Sequence, residues 1–296
     1  MSLTKSIKTT LLQDKNSMNK AIIFDIKEFG LHDGDGMRTT VFFKGCPLKC
    51  VWCHNPESQD FKRELIRNLN KCMGCGLCKK VCSHTACQGF SACVKVCPNN
   101  SVRIVGEEID TEELSKRLLK NKQFLQMGGV TFSGGEPLCY GEFILELIPK
   151  LEGLKTAVET CGEVPSDLFG KVTEKIDDIF MDIKIFNEEN HIRYTGKSNK
   201  QILKNAEFLL NGDRFVTFRI PLIPTITDTD ENLTAIAEFL SKGKEHILVE
   251  LIPYNRMTGA KYKNVGREYS PEFDENAPLN KNVEIFTKRG IKCVAY

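Results

Sequence analysis

The stretch Gly45–Asn55, GCPLKCVWCHN, places three cysteines within eight residues and has no fourth cysteine beside them. It follows Thr39–Lys44, an apolar segment with the composition of a β-strand. A structural zinc ion needs four ligands, and His54 is the nearest candidate for the fourth, but it adjoins Cys53 and neighbouring residues seldom reach one ion. A 4Fe-4S cluster held by three thiolates instead leaves one iron open to a further ligand. The stretch therefore favours an iron–sulfur site over zinc.

The composition of the 296-residue chain sets limits on its function. Its net charge of +2 is too small to indicate binding to nucleic acid, and no apolar run is nearly long enough to span a membrane. Residues 1–20 lack the apolar core of a signal peptide, so we expect a flexible tail there and a cytoplasmic location. Ten of the thirteen cysteines lie between Cys46 and Cys97, which indicates metal binding rather than disulfides.

Strand and helix patterns alternate through most of the chain, which predicts an α/β fold with a parallel sheet. A strand at 21–27 precedes the one at 39–44, and helical patterns begin near Asp110 and at about 140, 166, 198 and 230. Six βα units curled into a partial TIM-type barrel would gather the carboxyl ends of the strands on one face, where we expect the active site. The later strands are predicted at 129–133, 154–159, 178–185, 215–223 and 246–253.

The cysteine stretch and its surroundings resemble a known family. The spacing C-x3-C-x2-C, within His32–Ser58 (HDGDGMRTTVFFKGCPLKCVWCHNPES), is similar to that of the radical S-adenosylmethionine (SAM) enzymes, and in particular to their branch of glycyl-radical-enzyme activating enzymes. The resemblance implies a partial (β/α)6 barrel with a 4Fe-4S cluster on Cys46, Cys50 and Cys53. It also implies that SAM is cleaved reductively and that the resulting 5′-deoxyadenosyl radical takes hydrogen from a glycine of a partner enzyme.

The same resemblance assigns residues around the barrel to SAM. Asp182 and Lys184 lie two apart on a strand and so point to one face, where they suit a ribose and a carboxylate, or else form a salt bridge at the barrel mouth. A monovalent cation beside SAM is implied at Glu159, Thr160, Met181 and Asp182. The implied SAM contacts are Trp52, Cys53, His54, Gly134, Gly135, Glu136, Thr160, Asp182, Ile183, Lys184, Arg219 and Asn255.

Two positions depart from the pattern of the family. Relatives usually have histidine where this chain has Asn255, so a contact with SAM there is expected to be altered. Asp35 replaces a proline in the loop HDGDG, which makes the loop more negative and less rigid. The resemblance implies that Asp33 and this loop help to seat the glycine loop of the partner. A calcium loop is excluded because the later oxygen ligands are missing.

Residues 67–104 form a predicted ferredoxin-like insert, between barrel segments 21–66 and 105–296. The spacing Cys72-x2-Cys75-x2-Cys78-x3-Cys82 is typical of bacterial ferredoxins, in which the fourth cysteine serves the other cluster. One 4Fe-4S cluster is thus predicted on Cys72, Cys75, Cys78 and Cys97. Zinc remains an alternative for the insert.

A second insert cluster is left with Cys82, Cys87 and Cys93, because Phe90 stands where the template has a cysteine. It would be a three-iron cluster, take a ligand such as His84, or be absent. The insert would serve as an electron relay or a docking platform, and a flavodoxin or ferredoxin is the expected electron donor. The alternatives to an activating enzyme are a radical SAM enzyme for a small molecule or RNA, the latter disfavoured by charge, and a non-catalytic electron carrier.

Overall fold

The computed structural model describes residues 20–31, 34–82 and 92–296. The predicted tail lies outside the described residues except for Lys20, which is the first residue of a strand rather than part of a tail. Asp33, His84, Cys87 and Phe90 also lie outside them.

The described residues form eleven strands and ten α-helices. The strands are β1 (Lys20–Gly30), β2 (Arg38–Phe43), β3 (Glu64–Arg67), β4 (Val102–Val105), β5 (Glu107–Asp110), β6 (Gly129–Gly134), β7 (Thr156–Thr160), β8 (Asp178–Asp182), β9 (Val216–Leu222), β10 (Ile247–Pro253) and β11 (Lys292–Ala295). The helices are α1 (Leu77–Lys80), α2 (Ala92–Lys95), α3 (Thr111–Leu119), α4 (Gly141–Leu147), α5 (Ser166–Thr173), α6 (Glu188–Thr195), α7 (Lys200–Leu210), α8 (Asp230–Leu240), α9 (Thr258–Asn264) and α10 (Glu284–Thr287). Among these helices none is long and apolar enough to span a bilayer.

Nine strands form one sheet in the order β11-β10-β9-β8-β7-β6-β2-β1-β5. From β2 to β11 every neighbouring pair is parallel, which confirms the predicted α/β fold with its parallel sheet. At the other edge β1 runs antiparallel to both β2 and β5. The strand β11 adds a seventh parallel strand to the six predicted. The carboxyl ends of these strands lie on one edge of the sheet, and the loop with three cysteines follows β2.

The helices cover the sheet with apolar faces. In α3, Leu114 and Leu118 are fully buried, and the Asp110 carboxylate caps the helix by accepting from the Glu113 amide at 2.8 Å, as its sequence predicts. Strand β6 is buried along almost its whole length, as expected for the centre of a parallel sheet. The core therefore lies between sheet and helices and leaves the strand ends free for a site.

A separate two-stranded sheet pairs β3 with β4 antiparallel, from Glu64 opposite Val105 to Arg67 opposite Val102. Its two strands lie at the two ends of the predicted insert, and β5 then returns the chain to the main sheet beside β1. The segment between β3 and β4 contains the short helices α1 and α2 among its described residues. We refer to the pair β3–β4 as the stem of the insert.

Candidate active site

A cavity of about 860 Å³ lies at the carboxyl ends of the parallel strands and continues down the inside of the sheet. A volume of this size suits a ligand as large as a nucleoside derivative. The predicted cluster ligands and SAM contacts that line it are Cys46, Cys50, Trp52, Cys53, His54, Gly134, Gly135, Thr160, Asp182, Lys184 and Arg219. Three predicted SAM contacts, Glu136, Ile183 and Asn255, do not line it.

Backbone hydrogen bonds hold the loop of three cysteines in place. The Gly45 amide donates to the Ser58 carbonyl at 2.7 Å, and the Lys49 amide donates to the Thr195 carbonyl at the end of α6 at 2.7 Å. Gly45 has φ of +110°, a conformation that favours glycine. The loop is thus fixed on both sides, which presents its three thiols to the same cavity.

The electrostatics of the three thiols differ. Burial raises the pKa of Cys50 and raises that of Cys53 to about 11, whereas a hydrogen bond with the Cys161 thiol lowers the pKa of Cys46. Buried thiolates need a positive partner, which an iron cluster supplies. Within residues 20–31, 34–82 and 92–296, no three His, Cys, Asp or Glu side chains converge on a single ion. Three thiols around one cavity fit a cluster that takes one thiolate per iron.

Trp52 and His54 flank Cys53 but differ in their surroundings. Trp52 is only 4% exposed, and its ring lies 6.4 Å from the ring of Tyr194. The Asn255 amide donates to His54 Nε2 at 3.3 Å, and burial lowers the pKa of His54, which favours the neutral ring. The Asn255 side chain accepts instead from the Met257 amide at 2.9 Å. Asn255 thus meets the cysteine loop through its backbone.

The glycines of Ser133–Pro137 (SGGEP) allow β6 to pack against the cysteine loop. A Cβ on Gly135 would lie 2.2 Å from the Gly45 carbonyl oxygen, and one on Gly134, whose φ is +116°, would lie 2.4 Å from the Phe43 backbone. The Glu136 amide donates to the same Gly45 oxygen at 2.8 Å. The two glycines are therefore required for close packing inside the protein, whatever they contribute to SAM.

Glu136 is fully buried behind the cavity wall. Its carboxylate accepts from the Thr160 hydroxyl at 2.6 Å, the Cys161 amide at 2.7 Å and the Leu138 amide at 3.1 Å. Burial raises the pKa of Glu136, and the hydrogen bonds from Cys161 and Thr160 oppose that rise. Glu136 thus joins the end of β7 to the cysteine loop, and both of its oxygens are engaged within the protein.

Asp182 and Lys184 both line the cavity and form an ion pair of 2.6 Å with each other. This is the salt bridge that the sequence left open as an alternative. Burial acts to lower the pKa of Lys184, but the Asp182 carboxylate outweighs it and keeps the pKa above its ordinary value. Ile183, between them, is 1% exposed and packs in the core, while its amide donates to the Arg219 carbonyl at 3.0 Å.

Arg219 lies between two carboxylates in the interior of the barrel. It pairs with Glu159 and, at 2.8 Å, with Glu250, and its guanidinium lies 4.1 Å from the ring centre of Phe180. Burial acts against the charge, yet Glu159 and Glu250 hold the pKa of Arg219 above its ordinary value. Tyr296 donates to Glu250 at 3.0 Å. Sequence patterns did not point to Glu250 or Tyr296, because only strand register brings them here.

The four residues predicted for a monovalent cation are also placed. Besides its pairing with Arg219, Glu159 accepts from the Ser133 hydroxyl at 2.5 Å, and the Thr160 hydroxyl donates to Glu136. Met181 is fully buried, and Asp182 pairs with Lys184. The cation stays a prediction. Cys161, which lies outside the cysteine-rich segment from Cys46 to Cys97, also lines the cavity beside Cys46.

A second cysteine group lies in the insert. Cys72, Cys75, Cys78 and Cys97 line one small cavity together, which is the set that ferredoxin spacing predicts for a single cluster. Of the cysteines left for a second insert cluster, Cys82 is exposed, Cys93 is buried and Cys87 lies outside the described residues. The structure therefore brings the first set together and leaves the second set a prediction.

Comparisons with known proteins agree with this geometry. The model of the radical SAM superfamily matches residues 40–240. The chain is 37% identical to the trans-4-hydroxy-L-proline dehydratase activating enzyme of Clostridioides difficile, over 85% of this chain and 90% of that protein. It is 36% identical to the choline trimethylamine-lyase activating enzyme of Oleidesulfovibrio alaskensis, over 86% and 89%.

Among solved structures, Streptococcus suis SuiB bound to precursor peptide SuiA superposes with a TM-score of 0.53 at 15% identity, over 85% of this chain and 46% of that one. At 15% identity this structural similarity supports the fold alone. The family of the chain is shown instead by the family model, which matches residues 40–240, and by the two activating enzymes, which cover 85% and 86% of this chain. The chain belongs to the radical SAM superfamily and, within it, to the activating enzymes of glycyl radical enzymes.

Proposed function

We propose that this chain activates a partner glycyl radical enzyme by removing one hydrogen atom from a glycine Cα of that partner. Cys46, Cys50 and Cys53 would hold a 4Fe-4S cluster, which would supply the electron for cleavage of SAM into methionine and the 5′-deoxyadenosyl radical, the species that would take the hydrogen atom. The single observation that carries the proposal is the convergence of Cys46, Cys50 and Cys53 on a cavity shared with Asp182 and Lys184.

The residues of the chain would divide the work as follows. The three thiolates would hold the cluster, whose fourth iron would be available to the methionine part of SAM. The ammonium of Lys184, fixed by Asp182 at 2.6 Å, offers a cation for the SAM carboxylate, and Asp182 offers acceptors for ribose hydroxyls. Trp52, His54, Thr160 and Arg219 complete the wall, and a monovalent cation at Glu159 and its neighbours is part of the same proposal.

The partner glycine would reach SAM through the open side of the barrel. The cavity extends from the cysteine loop past Phe180 to Leu31, Gly34 and Asp35, which belong to the loop between β1 and β2. A peptide segment that enters along this path would pass the Asp35 carboxylate before it meets the SAM site. We therefore propose that the β1–β2 loop seats the partner glycine, a role that the family resemblance implies for Asp33 as well.

The insert would hold a 4Fe-4S cluster on Cys72, Cys75, Cys78 and Cys97. The support is their common cavity and two hydrogen bonds to their sulfurs, from Arg67 to Cys78 at 3.3 Å and from the Ser101 amide to Cys97 at 3.2 Å. A flavodoxin or ferredoxin would be the electron donor. Cys82, Cys87 and Cys93 would serve a second insert cluster, whose type stays open.

Cleavage of SAM by the anaerobic, reconstituted protein with dithionite tests the reaction. The wild type is expected to release 5′-deoxyadenosine and methionine, and Cys53→Ala is expected to release neither. Cys293→Ala is the matched control, because Cys293 lies on β11 and does not line the cavity. Cleavage by Cys53→Ala at the wild-type rate would refute the cluster assignment, and 5′-deoxyadenosine without a radical on any partner would favour a small-molecule substrate.

A further inference from the structure

The stem of the insert ends beside the four cysteines of the first insert cluster. Arg67, the last residue of β3, pairs with Val102 of β4. The next residue, Asn68, donates its amide to the Ser101 carbonyl at 2.7 Å and accepts from the Ser101 hydroxyl at 2.8 Å. The strand pairing and these two hydrogen bonds fix the backbone of Arg67 and Ser101 relative to each other at the end of a small antiparallel sheet.

Both fixed residues donate to a cysteine sulfur. Arg67 Nη2 lies 3.3 Å from Cys78 Sγ, and the Ser101 amide lies 3.2 Å from Cys97 Sγ. The guanidinium of Arg67 thus contacts one of the four sulfurs, and the Ser101 amide contacts another.

The contact between Arg67 and Cys78 lies on the less exposed side of the four insert cysteines. Cys72 and Cys75 are exposed, so water screens charges on their side of the cavity. Cys78, Cys97 and Arg67 are half-buried, where screening is weaker. The reduction potential of a cluster depends on net charge, on hydrogen bonds to the sulfurs and on solvent exposure. Arg67 contributes a positive charge and a hydrogen bond to sulfur on the less exposed side of the cavity. A guanidinium is charged at every accessible pH, so its effect is constant.

We propose that Arg67 is a positioning residue that raises the midpoint potential of the insert cluster on Cys72, Cys75, Cys78 and Cys97. The inference rests on that cluster, which is itself part of the proposed function. The cluster gains one negative charge when it accepts one electron, and a fixed cation that donates to Cys78 stabilises the reduced form more than the oxidised form. Arg67 thereby makes the insert cluster easier for an external one-electron donor to reduce.

The test is a redox titration with dithionite, followed by electron paramagnetic resonance, in the full chain carrying Cys53→Ala. That background removes the signal of the SAM cluster, and the signal that Cys72→Ala abolishes identifies the insert cluster. We expect a lower midpoint potential after Arg67→Gln. The matched control is Arg103→Gln, which removes the same charge from the same stem. Arg103 is exposed and pairs with Ile66, so it lies on the opposite face of the stem from Arg67.

The outcomes distinguish an absent insert cluster from a cluster whose potential does not depend on Arg67. If no signal depends on Cys72, the insert cluster itself is absent and the proposed function of the insert fails. If the signal is present but Arg67→Gln and Arg103→Gln leave the same potential, the role of Arg67 is refuted. Should Arg67→Gln fail to assemble the cluster, Arg67→Met is a second variant that removes both the charge and the hydrogen bond to Cys78 while keeping a long side chain. A potential below wild type in Arg67→Met would support the proposal, and an unchanged potential would overturn it.

Discussion

Replacing Gly135 by alanine tests how the cysteine loop is held. The new Cβ would lie 2.2 Å from the Gly45 carbonyl oxygen and 3.0 Å from that of Ser58, both of them backbone atoms that cannot rotate away. Restoring ordinary contact requires the two segments to separate by roughly 1 Å, an overpacking that costs about 1–3 kcal/mol. The separation also weakens the 2.8 Å bond from the Glu136 amide to Gly45, worth about 1 kcal/mol. We expect a loss of about 2–4 kcal/mol in unfolding free energy.

Urea unfolding of the iron-free chain measures that loss, and SAM cleavage by the reconstituted protein measures its consequence. Cys46 follows Gly45 directly, and a misplacement of about 1 Å in a reacting group can lower a rate roughly 100-fold. Gly170→Ala is the control, because its Cβ would meet only Phe208, at 3.5 Å, within helix α5. The control is expected to keep wild-type stability or gain up to about 1 kcal/mol. Wild-type stability and cleavage in Gly135→Ala would refute the reasoning.

Three other perturbations address separate parts of the molecule. Cys72→Ala should lose about four irons from the insert while the spectrum of the SAM cluster persists, and an unchanged iron count would contradict the assignment. Asp182→Asn should raise KM for SAM roughly 10- to 100-fold, since a hydrogen bond to a charged group contributes about 1.5–3 kcal/mol; an unchanged KM would remove Asp182 from the site. Burial lowers the pKa of His191, so only the unfolded chain gains a proton as pH falls below about 6.5, and stability should fall with it. That decline should be shallower in His191→Gln, and equal slopes in urea unfolding from pH 8 to pH 5 would contradict it.

Much of the barrel follows from local sequence signals. Apolar runs such as Gly129–Ser133 predicted the central strands, and the Asp110 carboxylate predicted the start of α3. Helix α6 was missed because its residues, EENHIRYT, are mostly polar, although Asn187 caps it by accepting from the Asn190 amide. Strand β11 was missed because it is short and mostly exposed, and its pairing with β10 depends on partners more than forty residues away.

The residues of the site also divide into those with a local sequence signal and those that only the fold brings there. The spacing of Cys46, Cys50 and Cys53 identified the loop, since a local motif needs no tertiary information. The neighbours that act on the site through space had no such signal. Cys161 reaches Cys46 only because the end of β7 lies beside the loop after β2, and Arg67 reaches Cys78 only through the register of the stem. Motifs therefore predicted which cysteines share a cavity, and the structure was needed to find the groups that contact them.

The most direct measurement is electron paramagnetic resonance of a partner glycyl radical enzyme after anaerobic incubation with the reconstituted chain, SAM and dithionite. The predicted result is a glycyl radical on the partner with one 5′-deoxyadenosine released per radical formed, and neither product with Cys53→Ala. Release of 5′-deoxyadenosine with no radical on any glycyl radical enzyme tested, or a radical formed equally by Cys53→Ala, would contradict the account.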